Sequence, residues 1–117
     1  MKVFNLGKTR KRYSWKDAEE TSELSEYDIN KISKEGFDAV FYWYIEGYYE
    51  GSGAMIATKD GKWWFFDISH CSCYGPSENV SIDDNCYDLD KILVLGTKEW
   101  SDDYIDLVEL AKKEGFK

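Results

Sequence analysis

From Phe37 onward the chain adopts a two-residue period, and this alternation limits the fold more than any other feature. Phe37, Ala39, Phe41, Trp43 and Ile45 fall on one face of an extended segment, with Asp38, Val40, Tyr42, Tyr44, Glu46 and Tyr48 on the other. One face is core. The tyrosine-rich face either lies beneath a helix or forms a contact surface, because a tyrosine ring is apolar while its hydroxyl tolerates water. Gly51-Ser52-Gly53 reads as the turn closing this strand, and Asp60-Gly61 as a tight hairpin between strands over 54–59 and 62–69. In the last strand Trp64, Phe66 and Ile68 share a face opposite Trp63, Phe65 and Asp67. The expectation is a three-stranded antiparallel meander.

The flanking segments supply the helices. A first helix is expected over 21–35, with Thr21, Ser22 or Ser25 as N-cap and Gly36 as terminator. Its apolar face is Leu24, Tyr27 and Ile32, and its acids Glu23, Glu26 and Asp28 face water or a partner. A last helix is expected over 102–114, capped by Ser101 and stopped by Gly115, with Tyr104, Leu107, Val108 and Ala111 as its buried stripe. Residues 2–6 suggest a short strand, and Ile92-Leu93-Val94-Leu95 a short buried one closed by Gly96. Between these strands, 77–91 is a polar, acidic loop with a weak strand signal at Val80 and Ile82. With 117 residues the chain fits a single α+β domain, an antiparallel sheet of four or five strands flanked by two helices.

Charge is unevenly distributed. Residues 1–16 carry six Lys or Arg and no acid, leaving nine basic against 23 acidic residues in the remainder, a net −14. A body of that sign is repelled by nucleic-acid phosphates and attracted to basic protein surfaces, including those that hold nucleic acid. The basic arm within 1–20 carries Arg10, Lys11 and Arg12 beside Tyr13 and Trp15, and a nucleic-acid-binding module using Arg10, Lys11, Arg12 and Trp15 is an alternative reading. Gly7-Lys8-Thr9 lacks the earlier glycine of a phosphate-binding loop, since position 2 is Lys. No apolar run reaches the roughly 18 residues of a membrane span, and no signal-peptide core is visible at the start. A cytoplasmic protein with reduced thiols is expected, three cysteines being an odd number for a disulfide framework.

The chemistry concentrates in His70-Cys71-Ser72-Cys73-Tyr74-Gly75-Pro76, which holds the only histidine, the only proline and two of the three cysteines; Cys86 follows thirteen residues after Cys73. Zinc takes thiolate sulfur and neutral imidazole, four ligands in tetrahedral arrangement. His70, Cys71, Cys73 and Cys86 form such a set, with Asp67, Asp83 or Asp84 able to replace one that packs inward. In a continued strand, His70 would point with Ile68 and the two cysteines away, so the ligands converge only if the backbone turns. The other readings are buried free thiols, because cysteine packs as a small hydrophobe, and a catalytic thiol in an enzyme acting on a host macromolecule. A base adjacent in sequence seldom reaches its thiol, and three thiolates with one imidazole leave no open position for water. A structural site without enzymatic activity is therefore expected.

Tyr49-Glu50-Gly51-Ser52-Gly53-Ala54, Asp60-Gly61-Lys62 and His70-Cys71-Ser72-Cys73-Tyr74-Gly75 together resemble a pattern found in small proteins of bacteriophages and other mobile elements, across about a quarter of the chain. In size and acidity the chain also resembles a metal-binding member of the type II anti-CRISPR proteins. The resemblance implies a bacterial cytoplasm as the working compartment and a host RNA-guided nuclease, or another basic host protein, as partner. From the charge of the body, no direct contact with nucleic acid is expected.

Overall fold

The computed structural model describes residues 1–6, 23–46, 51–68, 75–78, 80–99 and 102–116. The elements run β1 (Lys2–Asn5), α1 (Glu26–Ser33), β2 (Ala39–Glu46), β3 (Gly51–Lys59), β4 (Lys62–Asp67), α2 (Leu89–Glu99) and α3 (Asp102–Lys113). The strands form one sheet in the order β1-β2-β3-β4. The α+β class holds, and β2, β3 and β4 make the expected antiparallel meander.

The sheet is mixed rather than antiparallel. β1 pairs parallel to β2, Lys2 opposite Ala39 and Asn5 opposite Tyr42. Neighbouring parallel strands need a crossover, and α1 lies between them in sequence, so the start of the chain is a β-α-β unit. The second correction is at Ile92-Leu93-Val94-Leu95, which lies inside α2, giving three helices among the described residues. A short apolar run does not distinguish a buried strand from a helix. Here Leu89 and Ile92, three apart, are both buried against the sheet, while Val94 is exposed, which is a helical phase. Gly96 lies within α2 and does not close it. Val80 and Ile82 belong to no strand.

β2 is buried on both faces. Ala39, Phe41 and Trp43 pack with Ala54, Ile56 and Trp63 beneath α2 and α3, where Leu89, Ile92, Leu107, Val108 and Ala111 close the layer. Val40, Tyr42 and Tyr44 pack on the other side with Met55, Ala57, Trp64, Phe66 and Ile68 beneath Ile32 of α1. The tyrosine face therefore lies under a helix: Tyr42 and Tyr44 are each 2% exposed, and the Tyr42 hydroxyl accepts the Leu24 N–H at 3.1 Å. Phe37 leaves its expected face and meets Trp64 and Phe66 edge-on, because it precedes β2 and is not bound by the strand's alternation.

Ser25 is the N-cap of α1 and takes the Asp28 N–H, so the helix starts later than expected; Thr21 and Ser22 lie outside the described residues. Tyr27, expected on the apolar face, is 71% exposed, whereas Asp28, expected to face water, is buried. α3 keeps its expected stripe. Its end is a Schellman turn: Phe116 N–H bonds Ala111 O, Gly115 N–H bonds Lys112 O, and Gly115 has φ of 93°. That turn folds Phe116 back onto Phe41, edge to face at 5.3 Å.

The Asp60-Gly61 hairpin stands as expected, with φ of 54° and 77°. Asp38 Oδ2 accepts the Asp60 N–H at 3.0 Å and so fixes the turn from outside. Gly51 and Gly53, by contrast, belong to β3 and not to a turn, and residues 47–50 before them lie outside the described residues. Gly53 sits opposite Tyr44, where a Cβ would lie 2.5 Å from the Trp43 carbonyl oxygen and 2.9 Å from Ile68 Cγ1. Only glycine fits there. Gly53→Ala should accordingly destabilise the fold by about 2–3 kcal/mol, read as a lower urea midpoint at unchanged slope.

Candidate metal-binding segment and its supports

β4 ends at Asp67, and Ile68 continues its line with its N–H bonded to Gly53 O at 3.1 Å and its side chain fully buried. The chain is next described at Gly75. His70, Cys71 and Cys73 fall in 69–74, outside the described residues. Cys86 is described: it is half-buried, carries a free thiol and packs against the layer of Trp64, Phe66 and Ile68. Among the described residues no group of three His, Cys, Asp or Glu is placed to hold a metal.

What the structure does define is how the polar segment between β4 and α2 is held on the sheet. Near its start, Ser77 is 2% exposed and donates its hydroxyl proton to Asp28 Oδ1 at 2.6 Å. Asp28 Oδ2 accepts from the Ser25 hydroxyl at 2.7 Å, so one carboxylate joins a helix cap to the turn that follows Pro76. Such ionised acceptors make short, strong hydrogen bonds. Close by, Lys31 Nζ meets Glu78 Oε1 at 3.1 Å. The Glu78 hydrogen bond holds the Lys31 ammonium above its ordinary range, and at this exposed position water screens the pair heavily.

Further along, Glu35 Oε1 accepts the Ile82 N–H at 3.1 Å, and Val80 is buried in the core beneath α1. Trp64 Nε1 donates to the Asp83 carbonyl at 3.0 Å. Tyr87 and Trp63 exchange both backbone hydrogen bonds, at 3.0 and 2.8 Å. Together with the Tyr104 hydroxyl, which donates to Phe66 O at 3.0 Å, these contacts cover the outer edge of β4.

These ties fix Cys86 relative to the ends of the ligand-rich run. Tyr87 stands opposite Trp63, which puts Cys86 level with Trp64 and four residues short of Ile68. At about 3.3 Å per strand residue, Cys86 lies roughly 13 Å along the sheet from the point where the run leaves β4. The five residues from Ile68 to Cys73 can span roughly 17 Å when extended, so the donor set of His70, Cys71, Cys73 and Cys86 is compatible with chain length, provided the run turns back along the sheet. Asp83 and Asp84, shortly before Cys86 in the chain, are exposed, and Asp67 is exposed at the end of β4.

Sequence reading missed Asp28, Glu35 and Ser77. The signal was present in Ser25-x-x-Asp28, the spacing of a capping box, which places the third-position carboxylate beside the cap. The long-range partner, Ser77, has no local signature. The chain matches no protein-family model, no curated protein and no solved structure. No helix among the described residues is long and apolar enough to cross a membrane.

The indole bond to Asp83 can be isolated from ring burial. Trp64→Phe keeps an aromatic ring in place but loses the donor and some volume, and should lower stability by about 1–3 kcal/mol. Hydrogen exchange at the Tyr87 amide should accelerate by more than exchange within β2.

Proposed function

We propose that this chain is a phage-encoded binding protein of the anti-CRISPR kind, which inhibits a bacterial type II RNA-guided nuclease by occupying a surface that normally receives nucleic acid. The observation that carries the reading is the acidic body. Asp83, Asp84 and Asp88 are exposed within one short stretch whose backbone is tied to Glu35 and β4, and Asp90 beside them is exposed and paired with Lys112. Such a nuclease holds its guide and target in positively charged channels, chiefly through backbone contacts. Fixed carboxylates arrayed on a firm backbone compete for such a channel and hasten encounter with it.

The contact surface in this reading differs from the one expected of the sequence. Tyr42 and Tyr44 are core residues, so the carboxylates of 83–90 take the leading part. The resemblance of the ligand-rich stretch to phage proteins supplies the source and the bacterial cytoplasm as compartment. Zinc, held by His70, Cys71 and Cys73 with Cys86 as fourth donor, would have a structural part here, holding the chain between β4 and Gly75 without chemistry of its own.

The partner is tested by pull-down and DNA-cleavage assays against a panel of type II nucleases. Binding should weaken steeply with salt, and replacing Asp83, Asp84 and Asp88 together by Asn should weaken it about tenfold or more. Absence of binding and inhibition across the panel would remove the reading. The metal is tested separately, on protein purified without added zinc. About one equivalent is expected, with Cys71→Ser and Cys73→Ser abolishing it, and Cys86→Ser showing whether the fourth donor is recruited.

A further inference from the structure

We infer that the cavity between the Asp60-Gly61 hairpin, the start of α2 and the end of α3 receives an arginine side chain of a protein partner. The cavity measures about 390 Å³ and is lined by Gly61, Asp88, Leu89, Asp90, Lys112 and Phe116, which lies within the range of small-ligand sites. Two of its walls are apolar. Phe116 is brought there by the Schellman turn, its ring at close to a right angle to Phe41 at 5.3 Å and to Trp63 at 6.1 Å, and it stays partly exposed. Leu89 is buried and adds a second hydrocarbon wall. On the hairpin side Gly61 contributes no side chain, and nothing lies within 4 Å of where its Cβ would stand.

The charges of the cavity select its occupant. Lys112 Nζ is engaged by Asp90 Oδ1 at 2.6 Å. Asp88 is exposed; its carbonyl accepts the Lys91 and Ile92 N–H groups, while its carboxylate has no partner among the described residues. Two carboxylates against one ammonium leave the cavity negative even with the roughly half positive charge at the start of α2. Carboxylates beside hydrocarbon walls suit an organic cation, whereas a hard metal ion needs more oxygen ligands than two. A guanidinium meets both features at once, because its planar fork donates to a carboxylate while its flat face lies against an aromatic ring. Outside residues 1–16 the chain carries a net −14, so the partners it attracts are those that present such side chains. This inference deepens the reading proposed above and rests on it only for the partner being a basic protein.

The probe is N-acetyl-arginine methylamide, titrated into the whole protein at low salt and followed by amide chemical shifts. Saturable shifts are expected at Gly61, Leu89, Asp90 and Phe116, weakening as salt is raised and absent with the neutral citrulline analogue. Asp88→Asn keeps the shape of the side chain and its capacity to cap a helix but removes the charge, and should weaken binding about threefold to tenfold. Glu26→Gln, an exposed acid on α1 across the sheet, should leave binding unchanged. The absence of saturable shifts at the cavity would overturn the inference, as would an equal response to the citrulline analogue, or equal weakening by Glu26→Gln, which marks general acidity. The nuclease reading is decided separately. A negative nuclease panel with a saturable cavity removes that reading and supports this inference, and a bound nuclease with an unresponsive cavity does the reverse.

Discussion

Burial of both faces of the central strands is the constraint from which the remaining architecture follows. Ala39, Val40 and Phe41 are fully buried although they alternate in direction, and so are Met55, Ile56 and Ala57 on β3. A sheet of this kind needs a cover on each side. α2 and α3 supply one with Leu89, Ile92, Leu107, Val108 and Ala111. On the other side α1 has only eight residues, too few to cover Trp64, Phe66 and Ile68 as well as Val40, Tyr42 and Tyr44. The polar segment after Pro76 completes that cover.

A polar segment lying on an apolar face brings backbone groups that lose water and must be satisfied. That requirement accounts for the side chains along its path. Glu35 accepts the Ile82 amide, Trp64 donates to the Asp83 carbonyl, and Asp28 takes the Ser77 hydroxyl. Asp28 stands in α1 and Glu35 in the turn just after it, so a helix too short to cover the layer by itself, with the turn that ends it, contributes carboxylates that hold the remainder of the cover. Val80, Ile82 and Cys86 add apolar contact beneath.

The parts of this fold legible in the sequence are those written in local pattern. The alternation through β2, β3 and β4, the Asp60-Gly61 turn and the stripe of α3 all depend on neighbours within a few residues. What was not legible depends on partners distant in the chain. The parallel pairing of β1 requires knowing that α1 crosses over the sheet, and the helical state of Ile92-Leu93-Val94-Leu95 is decided by which of those side chains the sheet receives. Asp28 reads as solvent-facing because its partner, Ser77, is 49 residues away. The tyrosines of β2 illustrate the same limit: alternation puts them on one face, but only packing decides whether that face meets a helix or a partner.

The polar segment also changes what a metal would have to do. If the thiols and the histidine were the only restraint on the acidic loop, zinc would have to order everything from Ser69 to Asp88. The contacts from α1 and β4 order residues 75–78 and 80–87 without it. A zinc ion bound by His70, Cys71 and Cys73, with Cys86 as fourth donor on a segment already tied down, would therefore act chiefly on the six residues between Ile68 and Gly75, a short bridge between two anchored ends. Closing so short a loop removes less chain entropy than ordering a loop of some twenty residues. The free energy of metal binding is then directed to the conformation of the run itself, while the acidic surface proposed to meet the partner keeps its backbone whether or not metal is present.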